Sequence, residues 1–285
     1  MGAALLVREP SPRSYRPALL GTLRTYGEFV RMGFVDTLAY RLRYYTGIVT
    51  YFIYVSVYYF IWKAIYEHGT AIGGFDFPQM MTYVAVGWII RSLYFNNIDQ
   101  DLATQVSEGT LVMNLIKPVS IQGALIATAL GQSAFRLTML TLPTTLVLFV
   151  VFPVRRPASL LQFAAFSASV VLSFFIVAAL NFAVGTLAIR LLSILGLLRA
   201  KYFLLELLSG LLIPISFFPR IFQQALNFLP FQYISYIPLL IYLGKLSGAA
   251  AWKALGTQAF WALALVALGD AMWRWSSRKI TVQGG

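Results

Sequence analysis

The chain alternates long apolar runs with short polar breaks. Runs at about 45–66, 80–97, 121–152, 158–189, 202–218 and 252–273 each approach or exceed the roughly 20 residues that carry a helix across a hydrocarbon core. The pattern predicts an all-α integral membrane protein with six transmembrane helices. The runs at 121–152 and 158–189 are longer than a bilayer needs, which predicts tilt or projection beyond it. They are joined by the turn Pro153-Val154-Arg155-Arg156-Pro157. Ahead of the first run, Leu19, Leu23, Tyr26, Val30 and Phe34 recur every three or four residues, with Arg24, Glu28 and Arg31 off that stripe. This is a basic amphipathic helix suited to the inner headgroup region. It could anchor the N-terminus or dock a partner. The expected division is a tail and interfacial helix over 1–43 and a transmembrane domain over 44–285.

Two segments depart from the rhythm. The stretch 99–119, DQDLATQVSEGTLVMNLIKPV, is too polar for lipid and holds three of the ten acids. The stretch 214–245 is apolar, but Pro214, Pro219, Pro230 and Pro238 cut it into pieces too short to span. A broken, re-entrant helical hairpin between spans five and six is the expected form. Such backbone survives at membrane depth only under protein cover or beside a water-filled cavity. Pro214, Phe217, Phe218, Pro219, Pro230 and Phe231 are the candidate external gate; a lid packed on the helix ends is the other reading.

Composition agrees with the pattern. Charged residues make up 11% of the chain and hydrophobic ones 59%, against about 25% charged in soluble domains, and the mean hydropathy is +0.74. A β-barrel would show alternation instead of continuous runs. The net charge of +12 would suggest nucleic acid in a soluble protein; here the positive-inside rule and anionic lipid account for it, and no nucleic-acid partner is expected. With the N-terminus inside, fourteen Lys and Arg face the cytoplasm and six the outside, so both termini are placed in the cytoplasm. Arg155-Arg156 runs against this bias. The first 18 residues hold three arginines and three prolines and no apolar signal core, and read as a loose cytoplasmic tail. There is no cysteine for a disulfide, thiol chemistry or thiolate metal site, and the lone His68 leaves little for a metal centre.

Catalytic signatures are not found. No GxxxxGK[ST] phosphate loop occurs, and Gly244-Lys245 lacks the upstream glycine. HExxH, GxSxG and a paired-carboxylate site are equally missing, so the chain does not read as an enzyme. Arg91, Arg136 and Glu206 fall inside apolar runs, where a charge is costly and seeks a partner. Glu206 with Arg91 or Arg136 is the expected pair, serving either helix packing or substrate contact. Tyr51, Tyr54 and Tyr58 follow Tyr44 on one helix face, and their hydroxyls want protein or a polar path. A subunit interface is the first reading of that stripe and a substrate pathway the second. Asp270 and Arg274 are one helical turn apart and read as end-of-helix electrostatics.

The segments EGTLVMNLIKPVS, GLLIPISFFP and LPFQYISYIPLLIYLGK and the terminal VQGG, in that order, resemble the type-two ABC exporter permeases. The resemblance is to the branch often encoded beside a separate ATPase and a second similar permease, and it covers nearly the whole chain. It implies a six-span transmembrane half that works as a homo- or heterodimer with two ABC ATPase subunits in the membrane. It also implies that ATP and Mg are bound by those ATPases and that this chain binds no cofactor of its own. The loop 99–120 would hold the coupling helix, with Glu108, Gly109, Leu111, Leu115, Lys117 and Pro118 meeting the ATPase. The broken segment would match the family's external re-entrant helices. Substrates in such families range from drugs to lipids and polysaccharides, and the aromatic spans favour something amphipathic. A bacterial inner-membrane location fits. An ion-coupled transporter or channel without an ATPase is the alternative, and a purely structural membrane subunit the third; the first of these would usually show an inverted repeat and more intramembrane acids.

Overall fold

The computed structural model describes residues 19–278 apart from 40, 41, 68, 70, 116, 118, 192 and 193. The expected terminal tails, His68 and Pro118 lie outside the described residues. Within them every regular element is helical: α1 (Leu19–Ala39), α2 (Leu42–Tyr66), α3 (Phe77–Tyr94), α4 (Ile98–Ser107), α5 (Val112–Leu115), α6 (Ile121–Arg136), α7 (Leu142–Val151), α8 (Leu160–Thr186), α9 (Leu195–Leu208), α10 (Arg220–Asn227), α11 (Tyr236–Tyr242) and α12 (Gly248–Ser277).

Among the described residues four helices are long and apolar enough to cross a membrane: Thr46–Tyr66, Ile121–Val151, Leu160–Ile189 and Gly248–Ser277. Two of the six expected runs differ. Helix α3 is 18 residues long with 12 of them buried, so protein rather than lipid takes up its apolar surface. Asp76 starts it with a capping box, its Oδ1 accepting from the Gln79 amide at 2.7 Å. The run at 202–218 is not one helix: α9 starts earlier, at Leu195, and stops at Leu208. Gly210 follows with φ +80°, a left-handed step that ends the helix, and Pro214 leads into a 3-10 turn, Ile215–Phe217.

The run at 121–152 is continuous but not uniform. A π-helical turn, Leu137–Thr141, joins α6 to α7. Pro143 lies just after it, and the carbonyl its ring would strike, four residues back at Met139, falls inside the widened turn. The widening relieves that clash.

Helix α8 is the central post, buried through Ser169, Ser173, Ile176 to Ala179, Asn181 and Phe182. Its small residues let neighbours come close. A Cβ on Gly185 would lie 2.8 Å from the Cα of Asp99 on α4. Helix α1 lies across α6 in the same manner. A Cβ on Gly131 would sit 1.9 Å from the Val30 carbonyl oxygen, and one on Gly33 would sit 2.0 Å from that of Thr128. Phe34 meets Phe135 edge-on at 5.4 Å. The face of α1 that packs therefore contains Tyr26, Val30 and Phe34 from the predicted stripe, while Leu23 stays exposed.

Candidate functional site

The polar stretch folds as two short helices with a turn at the tip. Helix α4 has Asp99 and Asp101 in its first turn, where carboxylates suit the helix dipole. Ile98, Asp99 and Leu102 form its buried face against α8. It ends at Glu108, where Gly109 adopts φ +71°. A left-handed residue there reverses the chain so that the Leu111 amide reaches back to the Gln105 carbonyl at 3.1 Å. The Asn114 Nδ2 donates to Gln105 Oε1 at 2.7 Å, and Lys117 Nζ donates to Asn114 Oδ1 at 2.8 Å. These bonds staple α5 and Lys117 beyond it to α4.

The predicted coupling residues fall into different roles. Glu108, Gly109 and Leu115 are exposed at the tip. Leu111 is buried and anchors the turn from within. Lys117 is held by Asn114 and lies 5.7 Å from the Phe29 ring of α1, and Pro118 lies outside the described residues. Met113, which sequence reasoning passed over, is the most exposed apolar side chain of the tip at 65%. Two grooves flank α4. One, of about 360 Å³, runs between α4, α6 and Phe29 and Met32 of α1; the other, of about 450 Å³, runs between α4 and the segment from Ala188 to Leu198. Asp101 borders the first groove. The residue is exposed as a whole, but partial desolvation of its carboxylate, with the Asp99 carboxylate beside it, pushes its pKa up to about 6.

Behind the loop is a buried polar knot. Asp99 is fully buried and ion-paired with Lys201 of α9. Lys201 Nζ also donates to Asn181 Oδ1 at 2.6 Å, and the Tyr202 hydroxyl donates to Asp99 Oδ1 at 2.9 Å. Asn181 Nδ2 in turn donates to the Asn96 carbonyl and side-chain oxygens at 2.8 and 2.9 Å. The root of the loop is thus tied to α8 and α9 together. Sequence reasoning missed this knot. Its one signal was that Asp99 and Lys201 each sit at the junction of a polar break and an apolar run.

The charges that fall inside apolar runs resolve by geometry. Glu206 pairs with Arg91, whose Nε donates to Oε1 at 2.7 Å. Arg136 instead closes the end of α3, donating to the carbonyls of Ser92 at 3.0 Å and Phe95 at 2.6 Å and to Ser133 Oγ at 2.8 Å. The tyrosine stripe meets one residue of α3: Tyr51, Tyr54 and Tyr58 have ring centroids 5.8, 4.9 and 6.5 Å from that of Trp88. Arg91 lies over the same indole at 5.3 Å. Asp270 and Arg274 form the expected surface pair at 3.0 Å.

The proline-broken segment runs along α2, α3, α8 and α12. Pro214 and Pro230 are buried, and Phe231 begins a 3-10 turn. Phe217 packs on Trp62 at 5.7 Å, and with Phe218 and Pro219 it borders a groove of about 740 Å³ shared with Tyr58 and Ile61 of α2. The Tyr233 carbonyl accepts from Gln258 Nε2 at 2.8 Å and from Ser173 Oγ at 3.2 Å. Ser173 lies 13 residues into α8, about 20 Å along it. The Ser235 and Tyr94 hydroxyls are 2.9 Å apart. The segment therefore reaches deep between the long helices, and its polar backbone is bonded there as non-helical backbone must be.

The family model described as ABC-2 family transporter protein matches residues 52–284, from within α2 through the loop, the broken segment and α12. The chain belongs to the ABC-2 transporter family. It is a multi-pass membrane permease, and the loop 99–120 and the broken segment both lie inside the matched region. No curated protein matches the sequence. Helix α1 and the first turns of α2 fall before the match begins, while α6, on which α1 crosses, lies inside it.

Proposed function

We propose that this ABC-2 permease is the membrane subunit of an ATP-driven exporter, moved by a separate ATPase that docks on the tip of the loop 99–120. One observation carries this reading: the tip exposes Glu108, Gly109, Met113 and Leu115, while its root is fixed to α8 and α9 through Asp99, Asn181 and Lys201. A push on the tip is delivered to two helices at once. From α9 it continues to Glu206 and Arg91, and from there to α3 and the broken segment that follows α9. ATP and Mg belong to the ATPase partner.

In this reading six spans are built from α2, α3, α6 with α7, α8, α9 and α12, and both termini are cytoplasmic. The segment 214–245 is a re-entrant hairpin at the outer face and acts as the gate. A second permease copy, identical or homologous, packs on the exposed apolar face of α2 carrying Val49, Ile53, Val57 and Phe60. The groove between α2 and Phe217 is lined by aromatic and aliphatic side chains, which suits an amphipathic or lipid-like cargo.

The test is co-expression of the full chain with candidate ATPase subunits, followed by purification in lipid. Co-purification and ATP hydrolysis that falls several-fold in Met113→Asp and Glu108→Ala are expected. Failure to retain any ATPase would reject the reading; full hydrolysis and transport in both variants would reject the contact at the tip.

A further inference from the structure

The arginine pair that runs against the charge bias is tied to one residue of an apolar cleft: the Arg155 carbonyl accepts from the hydroxyl of Tyr242, which lines it. Arg155 is committed: its Nη2 pairs with Asp76 at 2.9 Å and its amide donates to Thr82 Oγ1 at 2.8 Å. Arg156 is exposed and, among the described residues, makes no hydrogen bond or ion pair. Its chain neighbour touches Tyr242, whose hydroxyl donates to the Arg155 carbonyl at 3.1 Å. Tyr242 also lines one end of the cleft.

The cleft has a volume of about 370 Å³ and lies between α3, the π turn with α7, and α8. Its floor is the buried Val86, Phe166 and Val170, and its rim is the exposed Leu142, Phe163 and Val171. The hydroxyls in its walls are already engaged. Thr141 is 2.7 Å from Ser92, Thr145 donates to the Thr141 carbonyl at 2.6 Å, and Ser167 donates to the Phe163 carbonyl at 2.9 Å. It therefore offers apolar contact and nothing that would hold water. From Leu137 to Phe149 the wall runs twelve residues, about 18 Å, against about 15 Å for half of a hydrocarbon core. The length is that of one leaflet.

We infer that this cleft binds one acyl chain of an anionic phospholipid whose phosphate rests on Arg156. The exposed rim opens it to the lipid side, the length matches a single chain, and the exposed Arg156, next in the chain to the carbonyl that Tyr242 bonds, supplies the complement to the headgroup. The lipid is a resident ligand rather than cargo. Assigning it to the outer leaflet rests on the orientation proposed above; the site itself does not depend on ATPase coupling.

The experiment uses the full chain, delipidated in mild detergent and titrated with phosphatidylglycerol or phosphatidylcholine of equal chain length, with bound lipid counted by native mass spectrometry. One tightly retained lipid is expected, with phosphatidylglycerol favoured about fivefold. Arg156→Gln should erase that preference while chain binding persists, and Val171→Trp at the rim should reduce retention of both lipids. Glycerol phosphate, which has no chain, should not compete. A preference for phosphatidylglycerol that survives Arg156→Gln would overturn the inference, as would retention unchanged by Val171→Trp, the result expected if a second copy covers the cleft. Arg156 is exposed and, among the described residues, unbonded, so its replacement leaves the fold in place and decides the headgroup question alone. Neither failure touches co-purification with an ATPase.

Discussion

Lys201 of α9 joins Asp99 of α4 in a buried ion pair, and the same ammonium donates to Asn181 of α8 at 2.6 Å. Asp99 is 0% and Lys201 9% exposed at the side chain, so neither charge can fall back on water. Removing one partner leaves the other buried and uncompensated, which costs about 3–5 kcal/mol. Lys201→Met and Asp99→Asn should each lower stability by that order in denaturant titrations of the purified chain. The double replacement Asp99→Leu with Lys201→Met should be closer to wild type than either single change. A loss in the double variant equal to the sum of the two single losses would show that the pair is not coupled.

Asp101 gives the loop a pH response of definite sign. Its folded-state pKa is raised from 3.8 to about 6, by partial desolvation of the carboxylate first and the Asp99 charge second. Between those values the folded state binds more protons than the unfolded one, so stability falls as pH rises through that window. Asp101→Asn should remove this slope, leaving the variant more stable than wild type at pH 7 and matched to it near pH 3.5. Parallel melting curves across pH 3.5–7 check it; a difference independent of pH would place the effect elsewhere.

The Arg91–Glu206 pair is about a fifth exposed, at 22% and 23% of the side chains, so screening trims its worth below that of the Asp99 knot. A double-mutant cycle with Arg91→Met and Glu206→Gln should return a coupling of about 1–3 kcal/mol. Arg136→Met with Glu206→Gln should be nearly additive, because Arg136 spends its donors on the carbonyls of Ser92 and Phe95. Coupling of Glu206 to Arg136 rather than Arg91 would contradict the geometry.

Apolar periodicity located most of the helices, because lipid and protein interior both demand continuous apolar runs. It could not say which apolar run meets lipid. Residues 80–97 read as a span, but that α3 turns its apolar surface to protein is decided only by the placement of α2, α8 and the broken segment around it. A charge inside an apolar run announces that it needs a partner, so Arg91 and Glu206 could be matched from the sequence; choosing Arg91 over Arg136 required the end of α3, which Arg136 closes. Asp99 and Lys201 stayed invisible because each lies beside other polar residues, 102 positions apart, where a solvated charge is the simpler reading. Met113 was missed for a related reason. Its exposure follows from the left-handed turn at Gly109, and periodicity says nothing about a four-residue helix.

The crossing of α1 on α6 depends on two glycines that leave the backbones in contact. A Cβ at Gly131 would stand 1.9 Å from the Val30 carbonyl oxygen. The obstacle is main chain on both helices, so no rotamer change can clear it and the helices must separate. Gly131→Ala should therefore release α1 while leaving the long helices packed, since α6 keeps its contacts to α3 and α8. The destabilisation expected for overpacking is about 1–3 kcal/mol. Gly27→Ala, where nothing stands within 4 Å, is the control and should be neutral or slightly stabilising, because alanine is the better helix former. Cysteines placed at Phe34 and Phe135, whose rings meet in the wild type, report the crossing directly. Cross-linking should be efficient in the Gly27→Ala background and lost in the Gly131→Ala one. Efficient cross-linking in both would mean that α6 bends to admit the methyl group, and that the two glycines do not set the approach of α1.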